Sequence, residues 1–465
     1  MDNSDKFNSL REEYKTFIFK DYKITDNSES INITYYFVIP NLAHFEPKIK
    51  ILKKNMNLKD INNDYINNLV FHIGLVELIS YWKCTCSPNV LIKCGNLNNE
   101  QINWFKKLYF YGLGELFYTN NIKTNINDFM NIKCECSENT KNNNYNEYIS
   151  NFDFNGYIIP IGGGKDSVVT LETLKASQDD NNFALIINPK PVTLECAKIA
   201  GFKHNNIIEV TRKIDDELIK LNKQGYINGH TPFSSMLAFL SYFIGFLTGK
   251  KYIALSNESS ANESNVAGEK INHQYSKSFE FENDFEYYCK KYLFAPIKYF
   301  SFLRPLNELQ IAMLFSKHEK YHNIFKSCNV GSKGATWIWC CNCPKCLFVY
   351  TILSPFLYKD KLVNIFKTDM FEKKDLLNTF IELTGYGKTK PFECVGTFDE
   401  VKFAITKTIY NVESVNKPLP YLLQYYKDNY PLSDLGFDLT KLYNEENNLL
   451  EELNNILKKE VMYNG

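Results

Sequence analysis

The sequence has 465 residues, 44% of them hydrophobic and 15% aromatic, which supplies packed cores and excludes disorder as a description of the whole chain. Lysine plus arginine and aspartate plus glutamate both number 53, so the formal net charge is zero and the global basic footprint of a nucleic-acid binder is missing. Length alone suggests about two to three domains.

Residues 1–136 are expected to form an N-terminal α+β domain. The opening Met1-Asp2-Asn3-Ser4-Asp5-Lys6 is polar with no apolar stretch behind it, so no secretory signal is read here and a cytoplasmic location is expected. Tyr65 to Trp82 is apolar with helical spacing, and its His72 and Glu77 read as packed or surface residues rather than catalytic ones. Asn103 to Tyr118 follows, broken at Gly112-Leu113-Gly114. The Asn-rich run Ser137 to Tyr148 marks a linker, placed at 137–150.

From residue 151 the pattern becomes strand, turn, helix, strand. Gly156–Ile161, Phe183–Ile187, Asn206–Val210 and Lys251–Leu255 read as strands; Ser167–Ala176, Thr193–Ala200 and Phe233–Thr248 read as helices. Strands alternating with helices predict a doubly wound parallel sheet, an α/β fold, over a domain at 151–360. The run Phe233 to Gly249 falls short of the roughly 20 apolar residues of a membrane span and is expected to be a buried helix, so no membrane partner is expected. Helices are further predicted at Asn307–His318, Lys345–Tyr358, Asp369–Leu383 and Asn444–Lys459, the last two in a helical C-terminal region at 361–465.

Gly162-Gly163-Gly164-Lys165-Asp166-Ser167 sits between a predicted buried strand and a helix, where open α/β sheets bind ligands. Consecutive glycines let phosphate approach the main chain, their amides form an anion nest, and the following helix adds its N-terminal partial charge. Ser167 can donate to phosphate, and Asp166 can orient the loop or hold magnesium. The spacing is not that of a Walker A loop. It resembles the SGGxDS signature of the PP-loop ATP pyrophosphatases, with Gly162 in place of the leading serine. That resemblance implies an adenine nucleotide alpha hydrolase-like fold and ATP as substrate, with the adenine near Asn188 in Ile187-Asn188-Pro189.

Two polar segments at strand or helix ends are candidates for the same cleft. Asn228-Gly229-His230-Thr231-Pro232-Phe233-Ser234 supplies an imidazole and hydroxyls. Ser256-Asn257-Glu258-Ser259-Ser260-Ala261-Asn262-Glu263 supplies carboxylates and amides, and Glu258 and Glu263 could hold Mg2+ or act as a base. Thr231, Asn257, Glu258, Asn262 and Glu263 are assigned to substrate and magnesium.

Thirteen cysteines without a signal peptide point to reduced thiols or metal ligands. Cys340, Cys343 and Cys346 form C-x2-C-x2-C, with Cys328 upstream. Four thiolates so spaced can close a tetrahedral Zn2+ site, although an iron–sulfur cluster would use the same donors. Cys341 is the alternative to Cys340, and the even spacing favours Cys340. The motif is similar to that of the 7-cyano-7-deazaguanine synthases, themselves PP-loop enzymes.

Taken together, FHIGLVELISYWK, GGGKDS, NGHTPFSS, SNESSANE and CNCPKC resemble the MurL family, the UDP-N-acetylmuramoyl-L-alanyl-L-glutamate epimerases of peptidoglycan synthesis. The resemblance spans about Tyr65 to Phe356. It implies an ATP-dependent isomerase that adenylates the terminal glutamate of a UDP-muramoyl dipeptide and inverts its α-carbon. His230 and Glu258 are the candidate bases, and Lys165 joins them as a catalytic residue of the loop. The competing readings are a synthase-like or tRNA-modifying PP-loop enzyme, a sulfur-transfer relative, and a protein that only binds nucleotide.

Overall fold

The computed structural model describes residues 3–54, 63–135, 145–175, 181–263, 272, 275–334, 337–387 and 389–462. Residues 137–144 of the expected linker lie outside them, and Tyr145–Ser150 is a helix. The chain divides into two compact units, Met1–Ile158 with His204–Ile253 and Lys270–Tyr299, and Ile159–Lys203 with Ala254–Glu269 and Phe300–Gly465.

In chain order the strands are β1 (Thr16–Asp26), β2 (Ser30–Ile39), β3 (Ala43–Phe45), β4 (Lys48–Leu52), β5 (Asn89–Ile92), β6 (Asn131–Cys134), β7 (Tyr157–Pro160), β8 (Phe183–Ile187), β9 (Ile207–Lys213), β10 (Tyr252–Leu255) and β11 (Lys298–Ser301).

In the first unit the order β9-β4-β2-β1-β5-β6 is set by antiparallel pairs β4/β9, β2/β4 and β1/β2 and parallel pairs β1/β5 and β5/β6. The short connections from β1 to β2 and from β2 to β3 permit only antiparallel neighbours, and β3 and β4 lie one after the other along β2. In β2, Ile31, Ile33, Tyr35, Phe37 and Ile39 alternate inward with period two and are fully buried. Their face is covered by the helix Asp64–Trp82, buried along nearly its whole length.

The second unit holds β8 and the carboxyl ends of β7, β10 and β11, in the order β11-β10-β7-β8. Ile161 donates its N–H to the Leu185 carbonyl at 2.9 Å, and Phe302 donates to Leu255 at 2.6 Å. β7 leads into the helix Lys165–Leu174 and β8 into Pro191–Ala200, the strand–helix alternation read from the sequence. The fold is α/β as expected, with a mixed rather than purely parallel sheet.

Two helical expectations are corrected. Asp369–Leu383 begins with 3-10 turns, because the Asp369 side chain caps Phe371, and becomes α-helical only at Leu377–Leu383. Of Asn444–Lys459, only the part from Glu451 onward is helical, within Glu451–Met462. Helices Phe279–Tyr288, Phe398–Ser414 and Tyr421–Asn429 were not expected. Phe233–Thr248 is a buried helix of 16 residues, and no helix among the described residues is long and apolar enough to cross a membrane.

Candidate active site and metal centre

The Gly162–Ser167 loop connects β7 to its helix as the sequence predicts. Gly163 has φ 77°, a left-handed conformation that disfavours a side chain, and a Cβ there would meet Val192 and Thr193 at 3.1 and 3.2 Å. Gly164 is the N-cap of Lys165–Leu174 and offers no side chain to the first-turn amides, which therefore keep their capacity to bind an anion. Gly162 is exposed at the mouth of the turn. Ser167 donates its hydroxyl to the Gly164 carbonyl at 3.0 Å.

Lys165 points inward. It is 1% exposed, and its Nζ donates to Asp166 Oδ1 at 2.5 Å and to the 2%-exposed Glu308 carboxylate. Burial works against the ammonium, and the Asp166 and Glu308 carboxylates outweigh it, so the Lys165 pKa is raised and the side chain stays charged. Burial pushes Glu308 up to about 7; Asp166 and Glu258 add to the rise, and Lys165 and Lys345 oppose it.

A second buried acid, Glu400, extends this network. Its Oε1 accepts from Ser260 Oγ at 2.6 Å and from the Glu308 backbone N–H at 2.6 Å, and burial followed by Glu308 raises its pKa. Ser260 belongs to the Ser256–Glu263 segment after β10. The network thus joins the glycine loop, the carboxylate segment and the C-terminal helix Phe398–Ser414.

In the carboxylate segment, Glu258 is buried and accepts at its backbone carbonyl from Arg304 Nη1 at 2.7 Å. Asn257 is buried and donates to Ser301 Oγ at 3.1 Å. Glu263 pairs with the buried Lys390, and Asn262 is exposed. Asn188, just past β8, is exposed with φ 51°.

The structure brings together the loop, Glu258 and four groups that sequence reasoning missed: Arg304, Glu308, Lys390 and Glu400. Glu308 and Glu400 were hidden because each stands in the first turn of a capped helix. Asn307 and Gln310 form one capping box, and Thr397 and Glu400 form another.

His230 and Thr231 belong to the first unit. His230 Nδ1 lies 3.9 Å from Glu115 Oε2, while Lys83 Nζ donates to the Gly229 carbonyl at 2.8 Å. Thr231 lines a small crevice with Arg212, Ser80 and Met236. Arg212 makes a two-pronged pair with the fully buried Glu77, 2.7 Å from Nε to Oε2 and 3.0 Å from Nη2 to Oε1. His72 is core, as read: burial lowers its pKa to about 4, its Nδ1 lies 2.7 Å from the Asn68 carbonyl and its Nε2 2.9 Å from the Tyr288 hydroxyl.

The thiols of Cys328, Cys340, Cys343 and Cys346 all lie within 4.8 Å of one another, a cluster able to hold a metal ion. Sγ–Sγ separations are 3.8 Å for Cys328–Cys343, 3.8 Å for Cys340–Cys346 and 3.5 Å for Cys343–Cys346. Cys341 turns away and donates to the Phe366 carbonyl at 3.2 Å. Cys343 is the N-cap of Pro344–Leu353, which places Cys346 in the first turn. Gly331 donates its N–H to Cys328 Sγ at 3.1 Å, and a Cβ at Gly331 would meet the Ile338 carbonyl at 1.9 Å. Soft thiolate donors in this number suit zinc.

A family model described as the MurL N-terminal domain matches residues 8–302, and one described as the MurL C-terminal domain matches residues 324–423. The chain is 31% identical over 339 residues to the UDP-N-acetyl-alpha-D-muramoyl-L-alanyl-L-glutamate epimerase of Xanthomonas oryzae pv. oryzae (strain MAFF 311018), covering 72% of each. It is 32% identical over 338 residues to the protein of that name from Salinispora tropica, covering 72% of this chain and 71% of the relative. A Micromonospora protein of the same name is 35% identical over 251 residues, 53% of this chain and 55% of the relative. No solved structure matches the chain.

Proposed function

The chain belongs to the MurL family, and on that premise we propose that it converts the terminal L-glutamate of UDP-MurNAc-L-Ala-L-Glu to D-glutamate, with ATP cleaved to AMP and pyrophosphate. What carries the reading is that an uncapped glycine loop on a helix N-terminus lies inside a chain whose relatives bear that name over most of their length.

The chemistry has a clear physical need for activation. The α-hydrogen of a peptide-terminal glutamate is a poor acid because the adjacent carboxylate is already negative. Attack of that carboxylate oxygen on the α-phosphorus of ATP forms the acyl–phosphate bond and breaks the bond to the pyrophosphate oxygen. With the charge removed, a base takes the α-proton of the acyl-adenylate and leaves an enolate; a proton returns to the opposite face, and water then releases AMP and the D-glutamate carboxylate. In the oxazolone variant the neighbouring peptide carbonyl oxygen first displaces AMP to close the ring, the ring's α-proton is exchanged in the same way, and water opens the ring to the D-glutamate carboxylate.

Gly162, Gly163, Gly164 and Ser167 hold the phosphates, and Asn188 lies beside the adenine. Lys165 and Asp166 set the loop from behind, with Glu308 fixing Lys165. Magnesium, held by Glu263 among hard oxygen donors, with Glu258 as the further donor if His230 is the base, would offset charge on the pyrophosphate. Glu258 is the base we favour and His230 the other candidate; Asn257, Asn262 and Thr231 are assigned to substrate and magnesium by their sequence segments. Zinc at the four cysteines would be structural.

The test is to incubate the protein with ATP, magnesium and UDP-MurNAc-L-Ala-L-Glu, resolve the glutamate enantiomers and follow AMP. D-glutamate that appears only with ATP, carrying solvent deuterium at the α-carbon, supports the reading. Glutamate that stays L while other carboxylates or purine precursors trigger AMP release sinks the epimerase and keeps the PP-loop chemistry. No AMP from any substrate leaves a nucleotide-binding protein.

A further inference from the structure

The turn that supplies the first thiol of the cysteine cluster also touches the glycine loop. Lys326 lies two residues before Cys328, and its backbone N–H donates to the Gly163 carbonyl at 2.9 Å. A trans peptide is planar, with its C=O and N–H on opposite sides, so this bond also fixes the direction of the Gly164 N–H. That N–H belongs to the glycine run whose amides are read as an anion nest. The neighbouring residues are close as well: a Cβ at Gly164 would meet Ser327 Cβ at 3.4 Å, and one at Gly163 would meet the Trp337 ring at 3.7 Å.

The same turn is braced from the cluster side. Cys328 accepts from Trp337 Nε1 at its carbonyl, 2.8 Å, and from the Gly331 N–H at its sulfur, 3.1 Å. Phe325 packs on Trp339 with ring centroids 5.2 Å apart, and Trp339 immediately precedes Cys340. Lys326 Nζ donates to the carbonyls of Asn323, Ile324 and Phe325 at 3.3, 3.3 and 3.1 Å, which tightens the turn further. Four clustered thiols attract one another only weakly, since S–H is a poor donor. A metal ion held by them would tie Cys328 firmly to Cys340, Cys343 and Cys346.

We propose that the cysteine cluster splints the glycine loop: a metal held there fixes the Lys326–Cys328 turn, with Trp337 as its positioning residue, and nucleotide affinity follows metal occupancy. The link to nucleotide rests on the reading of the glycine loop as the ATP site. The splint itself does not.

The experiment compares three forms of the full chain: zinc-loaded wild type, wild type stripped by a chelator, and zinc-loaded W337F, which keeps a ring near Gly163 and loses the bond to Cys328. Zinc content and a thermal melt establish the state of each. Hydrogen exchange without nucleotide comes first, at the Lys326 and Val168 amides, which donate to the Gly163 and Gly164 carbonyls. Both should exchange faster on stripping and in W337F. Affinity for α,β-methylene ATP, measured by calorimetry, should fall about fivefold or more on stripping and return when zinc is restored. W337F should lose about two- to tenfold, the range for one neutral hydrogen bond, while retaining zinc and a melting temperature near wild type. Zinc loss that leaves exchange and affinity unchanged overturns the proposal. So does a W337F effect without a stripping effect, because Trp337 would then act without the cluster. If stripping unfolds the chain, W337F decides, and unchanged exchange and affinity in that variant overturn the splint. Exchange that responds in a protein that binds no analogue keeps the splint and sinks the ATP reading.

Discussion

Glu400 accepts the backbone N–H of Glu308 at 2.6 Å, and through this bond two helix starts share one carboxylate. Its other oxygen accepts from the Thr397 N–H at 2.5 Å and closes the capping box of its own helix. A negative group at the N-terminus of Glu308–Ser316 is favourable to that helix's dipole. It also holds in place the residue whose side chain fixes Lys165 behind the glycine loop.

Replacing Lys165 with Met removes the cation between Asp166 and Glu308 and leaves the buried Glu308 uncompensated. A loss of about 3–5 kcal/mol is expected in urea denaturation. The double change K165M/E308L should recover a large part of it. Additive losses in the double-mutant cycle would show that the pair is not coupled.

The raised Glu308 pKa sets a pH dependence of known sign. Below the ordinary value of 4.5 the group is protonated in both states; between 4.5 and about 7 only the folded state keeps the proton. The folded state then binds more protons, so this group's contribution to stability falls as pH rises through that window and is lost above it. The slope is at most about 1.4 kcal/mol per pH unit. Urea midpoints of wild type and E308Q should converge at low pH and separate in favour of E308Q toward pH 8. A constant difference would contradict this.

Metal analysis of purified protein should return zinc bound by wild type. C340S and C343S should lose it together with several degrees of melting temperature, and C341S should retain both, because Cys341 faces the Phe366 carbonyl. Loss of metal from C341S with retention in C340S would reverse the ligand assignment.

Gly331→Ala would force its Cβ onto the Ile338 carbonyl, which is backbone and cannot swing aside. Overpacking of this kind costs about 1–3 kcal/mol. The same change should weaken metal retention against a chelator, since Gly331 donates to Cys328. Unchanged chelator resistance would disconnect the turn from the metal centre.

Glu258→Gln keeps the shape of the side chain and removes its charge. If Glu258 is the base, exchange of the α-proton with solvent should fall by about 10²–10⁴ while AMP release persists. A matching fall in both would place Glu258 with the nucleotide and magnesium instead.

The placement of the glycine loop between a strand and a helix and the cysteine cluster were legible because each is local: a few adjacent residues carry the signal, and spacing alone states it. β8 and the helix Phe233–Thr248 were legible to the residue, since each is a continuous apolar run ended by a turn residue. β1 and β2 were not read as strands, although the alternation of Ile31, Ile33, Tyr35, Phe37 and Ile39 is there to be seen. Glu308 and Glu400 could not have been found this way. In sequence each looks like a helix-starting acid, and only tertiary contact turns it into a buried partner of the loop.

Glu308 reaches Lys165 across 143 positions of chain, and Glu400 reaches Ser260 across 140. During synthesis from the N-terminus, then, the glycine loop leaves the ribosome long before either carboxylate exists. A nascent chain halted after residue 390 has the loop sequence complete but lacks Glu400, the acid that anchors Glu308. The buried packing behind the glycine loop is therefore a late event in the life of this polypeptide, completed near the end of translation rather than when the loop itself emerges.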